Sequence, residues 1–372
     1  MKMMFVRATE YKPTPAIPRA IEAGKGIFDD IIIACWNRNK RKIDEDQDGD
    51  LTVKRFSMTA HPRSLRIIIV TLLYQIWVFW QIIKERPSMI QVFDFESVIP
   101  ACIARFLVGA TLVYDIRDPF ADCYKFPKVF RNPAYAIDWV YMGLCSAFIV
   151  PGHDRLEYLG RWGKSKRPTL VVPNTCDDLV QQLPESVNGL VASNDSIKIA
   201  YIGYLDRSRG AMMWAELCKA KENQMELLVA GDCRDAELAS ILTSNPNVKF
   251  LGLLSNLESM AVMRSSHAIA LLYDTSVAVN RMAAPNKFYE ALMVSTPVIV
   301  SRGMNLEKIV EEEKLGYIVD YGDIESLKAA FEKLKDPQIL SDMRKRCRDY
   351  YLNNLQLSEH LVNYHNFYKK LS

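Results

Sequence analysis

The chain has 372 residues, of which 49% are hydrophobic and 24% are charged, a globular balance with room for two ordinary domains. Its 47 basic and 44 acidic residues give a formal net charge of +3. So small an excess argues against a nucleic-acid partner, but it is compatible with a basic patch that faces an anionic membrane.

Eight cysteines are spread along the chain without a Cys-x-x-Cys pair, and several of them stand in apolar runs. This usage is typical of reduced, buried thiols in a cytosolic protein. The first residues, Met-Lys-Met-Met-Phe-Val-Arg, contain no long apolar segment of the kind that a signal peptide needs. We therefore expect a cytoplasmic protein, either free or attached peripherally to the cytoplasmic face of a membrane.

The opening of the chain has the element order of a doubly wound α/β domain. Apolar runs at 3–7 and 31–35 predict strands, and residues 17–23 between them predict a helix. Next, residues 44–49 match the first half of an EF-hand loop. The twelfth position of that loop should be a bidentate Glu and is Arg55, so we interpret the segment as a polar hairpin or loop.

Residues 67–83 carry no formal charge, and Arg66 and Lys84 flank them. The run is slightly shorter than the roughly 20 apolar residues of a membrane span. Its aromatic side chains and basic flanks suit a helix that lies in the membrane interface. The alternative is a helix that is buried against the sheet and leaves some of its aromatic side chains exposed.

Polar residues follow the next two predicted strands, 89–93 and 110–114. Ligands of parallel α/β sheets bind beyond the carboxyl ends of the strands, so these polar residues become candidates for the binding crevice. The alternative is that they solvate loops and cap helices. His153, in the turn after a further strand at 147–150, is more typical of a structural than of a catalytic histidine. The candidates after the two strands are Asp94, Glu96, Arg117 and Asp118.

Residues 176–195 are rich in polar residues, and we expect them to link two domains. A strand at 197–202 opens the second domain, and Gly203 follows it directly. A glycine at that point lets the backbone approach a phosphate closely, and Arg207 and Arg209 would neutralise the phosphate with forked donors. Further strands are predicted at 226–230, 248–251, 268–273, 298–300 and 316–320.

The stretch 281–301 predicts a loop, a short helix and a buried strand. Pro285 suits the start of the helix, because its missing N–H is not needed there. Free backbone N–H groups at a helix N-terminus attract an anion, and Lys287 adds a full positive charge. Glu290 lies three residues further on the same face, where a carboxylate could accept hydrogen bonds from sugar hydroxyls. The alternative is a surface helix whose Lys and Glu form a solvated pair.

The sequence Pro285-Asn286-Lys287-Phe-Tyr-Glu290-Ala-Leu, followed by Thr296-Pro-Val-Ile, closely resembles the nucleotide-sugar motif of family-4 (group 1) glycosyltransferases. These are retaining enzymes of the GT-B fold, an α/β architecture in which two Rossmann-like, doubly wound parallel-sheet domains face a cleft. The resemblance implies that Glu290 binds the ribose of the nucleotide. It also implies that Asn286, Lys287 and the loop before them hold the diphosphate.

Two positions depart from the family pattern. Many members carry a second Glu, eight residues before the first, that contacts the donor sugar, and that position is Met282 here. The family loop Gly-Arg-x-x-x-x-Lys-Gly has Tyr204 in place of its Arg and Arg209 in place of its Lys. Arg207 would supply the displaced charge. How the sugar ring is held, and which sugar it is, therefore stay open.

The resemblance also assigns roles outside this motif. Relatives place the nucleotide base against backbone groups at the position of Leu253. They commonly show a Tyr-Asp-x-Arg/His-Asp pattern at the place of Arg117 and Asp118, which puts these residues, with Glu96, on the acceptor side. The domains that it implies are residues 1–180, joined by a C-terminal helix at about 355–372, and residues 193–354.

Together these features predict transfer of a sugar from a nucleotide-diphosphate sugar to a hydroxyl acceptor. We expect that acceptor to be a lipid-linked saccharide in the synthesis of cell-surface polysaccharide or glycolipid. The nucleotide sugar is a co-substrate, and no cofactor is expected. No Asp-x-Asp motif follows a strand to hold a metal, which agrees with charge neutralisation by side chains and the helix dipole. The groups expected to carry the reaction are Glu290, Lys287, Arg209 and Asp118.

Two other functions stay open. A non-catalytic GT-B-like protein that binds a sugar nucleotide is compatible with Met282 and Tyr204. A sugar-nucleotide epimerase has the same fold and needs no acceptor, but the apolar segment 67–83 argues against it.

Overall fold

The computed structural model describes residues 1–10, 15–38, 51–60, 66–118, 120, 128–161, 166–184, 196–219 and 225–372. The EF-hand-like segment 44–49 and residues 185–195 of the expected linker lie outside the described residues. Within them the chain forms two compact units, residues 1–173 with 359–372 and residues 174–358. Each unit is built on one parallel sheet.

The first unit is organised around a parallel sheet with strand order β3-β2-β1-β4-β5-β6-β7 in the described residues. Its inner strands are almost wholly apolar, because helices cover both faces of a parallel sheet. The strands are β1 (Lys2–Arg7), β2 (Asp30–Trp36), β3 (Thr52–Phe56), β4 (Met89–Val92), β5 (Thr111–Asp115), β6 (Ala147–Val150) and β7 (Thr169–Val171). The helices are α1 (Ala16–Gly24), α2 (Arg66–Glu85), α3 (Phe95–Val108), α4 (Lys128–Leu144) and α5 (Asp154–Arg161).

The second unit repeats this plan with strand order β10-β9-β8-β11-β12-β13. The strands are β8 (Ile197–Ile202), β9 (Met225–Ala230), β10 (Val248–Phe250), β11 (Ala268–Leu271), β12 (Val298–Ser301) and β13 (Gly316–Val319). The helices are α6 (Ala211–Leu217), α7 (Ala236–Thr243), α8 (Asn256–Ser265), α9 (Ala278–Arg281), α10 (Asn286–Met293), α11 (Leu306–Glu312), α12 (Ile324–Lys333) and α13 (Pro337–Asn354).

The last helix, α14 (Leu357–Leu371), packs into the core of the first unit. Tyr364, Phe367 and Tyr368 are buried there, and the ring of Tyr368 meets the edge of Phe28 at 5.4 Å between centroids. The hydroxyl of Tyr368 donates to the side-chain oxygen of Gln91, whose amide nitrogen donates to the hydroxyl of Tyr364 at 2.7 Å. Burying these aromatic rings therefore joins the end of the chain to its beginning.

Residues 174–184, which the sequence analysis divided between the first domain and the linker, pack on the second unit. Leu183 is buried in its core, and the hydroxyl of Tyr351 donates to the carbonyl of Cys176 at 2.9 Å. The Thr175 hydroxyl donates to the carbonyl of Leu355. These contacts fix the segment to α13 and to the turn that follows it.

Strand β3 and the short helices α5, α7 and α9 were not predicted. Strand β3, part of the expected polar hairpin or loop that ended at Arg55, pairs in parallel with β2 at the edge of the sheet. Its sequence, Thr-Val-Lys-Arg-Phe, contains no apolar run from which a strand could be predicted. Charged residues are common on edge strands. Helices α5 and α7 are each eight residues long, too short to show a clear apolar period.

Helix α2 has the length and apolar composition to cross a membrane, although 22% of its most apolar stretch is buried inside the protein. The buried residues are Val70, Tyr74, Val78 and Ile82, which all face the sheet. The outer face is exposed and carries large apolar side chains. The helix predicted over 67–83 is thus confirmed, with one face buried against the sheet.

Candidate functional site

Two loops meet at the carboxyl ends of the central strands β8 and β11 in the second unit. The backbone N–H of Asp274 donates to the carbonyl of Ser208 at 2.7 Å. The side-chain amide of the buried Asn280 donates to the carbonyls of Ser208, at 3.4 Å, and of Asp274, at 3.0 Å. Asn280 therefore connects the loop that carries Arg209 to the chain that leads into α10.

Helix α10 begins at this edge of the sheet without a side-chain cap. Pro285 is the N-cap residue, with φ −66° and ψ 133°, and it makes no capping hydrogen bond. The side chain of Asn174 donates to the carbonyl of Ala284 at 2.8 Å and so anchors the preceding turn. The N–H group of Phe288 donates to the carbonyl of Pro285 at 3.0 Å. The N–H groups of Asn286 and Lys287 precede it and can bind an anion, because the proline N-cap has no side-chain acceptor for them.

Lys287 and Glu290 form an ion pair one turn into this helix, with 2.7 Å between Nζ and Oε2. Glu290 is 8% exposed, and Lys287 is half-buried. The solvated surface pair of the alternative interpretation is therefore absent from α10. A carboxylate held in this way accepts hydrogen bonds, while the ammonium group beside it attracts a phosphate.

The loop after β8 depends on glycine geometry. Gly203 has φ +132° and Gly231, after β9, has φ +141°, a region that side chains rarely adopt. A Cβ atom on Gly231 would lie 1.7 Å from the carbonyl oxygen of Gly203. The two strand ends therefore run in direct backbone contact.

The two arginines of this loop have different surroundings. The guanidinium of Arg209 lies 5.0 Å from the ring centroid of Tyr273 and 5.7 Å from that of Tyr204. Tyr204, which stands where the family has Arg, thus stacks near the cation.

Arg207 instead pairs with Asp235 and Glu237, each at 2.6 Å. Its hydrogen bond lowers the pKa of the Asp235 carboxyl to about 2. The charge of Arg207 is therefore paired with carboxylates at the start of α7. The sequence had instead predicted that Arg207 replaces the arginine that the family carries at the position of Tyr204.

The remaining second-unit candidates lie at the rim of this edge. Leu253 follows the outermost strand β10, and its side chain is 80% exposed. Met282 ends α9, three residues before Pro285 and close to the start of α10. Asn286 is the first residue of α10 itself.

The acceptor-side candidates of the first unit are engaged in ion pairs. Glu96 pairs with Arg38 at 3.3 Å, and Arg117 binds the fully buried Asp115 through Nε at 2.8 Å. Asp118 pairs at 2.9 Å with Arg155, a side chain that is only 1% exposed.

Asp94 acts as a helix cap, as one of the two alternatives predicted. It accepts the N–H groups of Ser97 at 3.1 Å and of Ala8 at 2.6 Å. Burial, followed by the nearby carboxylate of Glu96, raises its pKa to about 6.

Arg155 and Asn280 are positioning residues that the sequence analysis missed. Arg155 donates to the carbonyl of Arg117 at 3.1 Å as well as to Asp118, and so fixes the loop after β5. The sequence did contain a signal for Arg155, which is a cation two residues after His153, just beyond the end of a strand. His153 itself is exposed. Among the described residues, no three His, Cys, Asp or Glu side chains converge as a metal site.

Comparisons with known proteins agree with this geometry. Residues 196–336 match the family model described as Glycosyl transferases group 1, and all second-unit candidates lie inside that segment. A search of curated proteins returned no match.

Three solved structures illustrate the fold. Sucrose-phosphate synthase from Thermosynechococcus elongatus is 16% identical, with a TM-score of 0.79, over 100% of this chain and 99% of that one. HepE from Anabaena, in complex with UDP-glucose, is 16% identical with a TM-score of 0.72 over 100% of both chains. The lipopolysaccharide outer core galactosyltransferase WaaB is 14% identical with a TM-score of 0.68, over 99% of this chain and 100% of that one.

Identities this low establish a shared fold, which is the GT-B fold of two parallel-sheet units, and the family match covers most of the second unit. Residues 196–336 of the chain are accordingly similar to the group 1 glycosyltransferases.

Proposed function

We propose that the chain is a glycosyltransferase that takes its sugar from a nucleotide-diphosphate sugar. The observation that carries this proposal is the half-buried pair of Lys287 and Glu290 at the uncapped start of α10. Arg209 supports it from the neighbouring loop, which Asn280 ties to the same segment. The site thus combines cations and free N–H groups for a diphosphate with a carboxylate for an adjoining hydroxyl.

In the proposed reaction, the bond between the anomeric carbon and the diphosphate oxygen breaks, and a new bond to the acceptor oxygen forms. Lys287, Arg209 and the N-terminus of α10 would stabilise the negative charge that develops on the leaving diphosphate. Glu290 would accept hydrogen bonds from the ribose and so orient the donor. These cations would replace a metal ion in that role. Retention of the anomeric configuration is proposed from the family resemblance.

The acceptor side belongs to the same proposal. Asp118 would contact the acceptor hydroxyl, with Arg117 and Glu96 beside it. The ion pair with Arg155 leaves Asp118 partly exposed, with 39% of its side chain accessible, which supports a role in contact with a ligand.

A uridine nucleotide is the first donor to test. Two proteins of similar fold have been solved with uridine nucleotides. HepE was determined with UDP-glucose, and a protein from E. coli with UDP-2-fluoro glucose. Leu253 would place its backbone against the base.

A lipid-linked saccharide is the acceptor that we propose, in the synthesis of cell-surface polysaccharide or glycolipid. WaaB, whose fold is similar, is named a lipopolysaccharide outer core galactosyltransferase. The exposed apolar face of α2, over residues 67–83, supports peripheral attachment to the cytoplasmic face of a membrane. The free thiols of the described cysteines support a cytoplasmic location.

Replacement of Glu290 tests the donor site. We expect Glu290→Ala to abolish turnover, mainly through lost donor binding, when nucleotide release from UDP- and GDP-sugars is measured with acceptor lipid present. Calorimetric titration with UDP and GDP measures the binding directly. Near-normal activity in this variant would refute the assignment.

Glu332→Ala is the matched control, because Glu332, at the end of α12, forms an exposed i,i+3 pair with Lys335 at the same 2.7 Å. We expect this control to bind nucleotide as the unmodified chain does. Binding without sugar transfer to any acceptor would favour the non-catalytic alternative, for which Met282 and Tyr204 are the motivating residues. Slow donor conversion without acceptor would favour an epimerase.

A further inference from the structure

The outer face of α2 is an apolar stripe. Six of its large apolar side chains are between 40% and 64% exposed, and they recur at the spacing of one helix face. A helix packed on a sheet normally presents polar side chains to water on that face. The six residues are Ile68, Ile69, Leu72, Leu73, Ile76 and Trp80.

The neighbouring helices extend this stripe into a surface. Helix α3 packs between α2 and α4, because the Tyr74 hydroxyl lies 2.9 Å from that of Ser97 and the Cys102 thiol lies 3.6 Å from the carbonyl of Tyr141. The middle helix exposes Ile103, Phe106 and Leu107.

Helix α4 exposes Ile137, Val140 and Leu144 at i, i+3 and i+7. We call these six residues of α3 and α4, together with the six on α2, the three-helix surface.

Cations border the three-helix surface. Arg66 and Lys84 are both exposed, one turn before Ile69 and one turn after Trp80, at the two ends of the α2 stripe. At the far end of α3, the guanidinium of Arg105 donates to the last carbonyl of α4 and lies over the ring of Phe106.

The acidic groups of these three helices are all engaged elsewhere. Glu85 pairs with Lys2 and Lys54, and Glu96 pairs with Arg38. Asp138 is fully buried. Within the described parts of α2, α3 and α4, the three-helix surface is therefore apolar with a basic border and offers no carboxylate to a partner.

Helix α2 cannot leave the sheet to cross a bilayer without opening the core. The ring of Tyr74 stacks on that of Trp36 at 5.0 Å, and Val78 and Ile82 are fully buried beside it. Removing such side chains from a core costs about 2 kcal/mol or more for each residue. The helix therefore contacts a membrane along its side.

We propose that the three-helix surface binds the face of a lipid bilayer that contains anionic phospholipids, with its helices lying in the plane of the interface. The apolar side chains enter the boundary between headgroups and acyl chains, and the cations at the border contact lipid phosphates. This extends the attachment proposed above for residues 67–83 to a composite surface. It does not depend on sugar transfer.

A second copy of the chain fits this surface less well. A two-fold pairing brings each surface against itself, so apolar side chains would be buried, but the border cations would face cations. No carboxylate of these helices is available to compensate them. A lipid phosphate supplies the missing negative charge, which is why we assign the surface to a membrane.

Sedimentation of the full-length chain with lipid vesicles tests the proposal. We expect binding to vesicles of phosphatidylcholine mixed with phosphatidylglycerol, weaker binding to phosphatidylcholine alone, and release by added salt. Tryptophan emission should shift to the blue on binding, because Trp80 leaves water.

Two variants locate the contact. Replacing both Ile76 and Trp80 by Ser is expected to lower the partition coefficient about tenfold or more, since each side chain loses its apolar contact. Neutralising one border cation, as in Lys84→Gln, is expected to lower it about fivefold at low salt. The matched controls are Val362→Ser on the exposed face of α14 and Lys308→Gln on α11, and both should bind vesicles unchanged.

Other outcomes overturn the proposal. Equal vesicle binding by the double variant and by Val362→Ser would place the contact elsewhere. Absence of vesicle binding, together with a dimer that the double variant abolishes, would assign the surface to a second copy. The Glu290→Ala variant should still bind vesicles, and the double variant should still bind UDP, so failure at one site is distinguishable from failure at the other.

Discussion

The carboxyl ends of the two sheets differ in how their polar groups are engaged. In the first unit, strand-end charges are bound to one another, as in the pair of Asp115 with Arg117 and that of Asp118 with Arg155. In the second unit, the strand ends carry Gly203 and Gly231, and the uncapped helix α10 follows.

The two units therefore use the carboxyl edge of a parallel sheet in two ways: one fixes its loops by ion pairs, and the other leaves backbone groups open. Buried partners such as Arg155 hold a loop in one geometry. Free N–H groups and positive-φ glycines leave the backbone open to a ligand instead. We therefore expect that replacing the buried Arg155 at the first edge lowers stability without changing nucleotide affinity, and that replacing cations at the second edge changes nucleotide affinity.

The largest expected effect is that of Arg155→Met. Removing this buried cation breaks its bonds to Asp118, to Asp154 and to the Arg117 carbonyl, so we expect the free energy of unfolding to fall by about 3–5 kcal/mol. UDP affinity of the folded protein should not change. Urea unfolding and calorimetric titration measure the two quantities.

The exposed Arg302→Met, which removes a pair with Asp320, is the control and should unfold as the unmodified chain does. Loss of UDP binding in a stable Arg155→Met variant would contradict the comparison.

Gly231→Ala should have the second largest effect on the free energy of unfolding. Its Cβ would meet the Gly203 carbonyl, so the strand ends must separate, at an expected cost of about 3 kcal/mol in unfolding free energy. Gly252→Ala is the matched control, because Gly252 also has positive φ but has nothing within 4 Å of a Cβ. That control should cost only about 1 kcal/mol. Equal losses in urea unfolding would show that φ, and not the backbone contact, decides the effect.

The two arginines of the β8 loop give a finer test. We expect Arg209→Gln to weaken UDP binding about tenfold, because a charge-assisted hydrogen bond to the diphosphate is lost. Arg207→Gln should change it by less than about twofold, because that side chain is already paired with Asp235 and Glu237. Titration calorimetry at low salt measures both, and the reverse order would restore the family role to Arg207.

The smallest expected effect is on the pH dependence of stability. Asp94 has its pKa raised from 3.8 to about 6, by burial and by Glu96, against the hydrogen bonds from Ser97 and Ala8 and the charge of Arg7. The folded protein therefore holds a proton that the unfolded chain has released, and raising the pH between 3.8 and about 6 destabilises the folded protein.

Asp94→Asn should reduce this loss by on the order of 1 kcal/mol, measured by thermal unfolding across that range. The pKa of Asp115 is raised in the same direction, so a residual slope should remain. An unchanged slope would exclude Asp94 as its source.

Much of the fold was predictable from the sequence, because buried parallel strands are continuous apolar runs. The strand predicted at 147–150 has the same bounds in the structure, and those at 3–7 and 197–202 differ by at most one residue. The edge strand β3 and the short helices α5 and α7 were not predictable, since they are held by long-range pairing and packing and not by a local pattern.

At the candidate site, spacing on one helix predicted that Lys287 and Glu290 share a face, and they form a pair. The pairing of Arg207 with α7 was not predictable, because its partners lie 28 and 30 residues away in the chain. The side-chain amide of Asn280 donates to backbone carbonyls, and such contacts leave no pattern in the sequence.

The return of α14 to the first unit has a consequence for biosynthesis. Because Tyr364, Phe367 and Tyr368 fill part of that unit's interior, the ribosome must translate past residue 368 before the earliest strands can finish folding. The second unit does not need these three residues and can fold before they are synthesised. Nascent chains of this protein should therefore expose the unfinished first unit to chaperones until α14 has been synthesised.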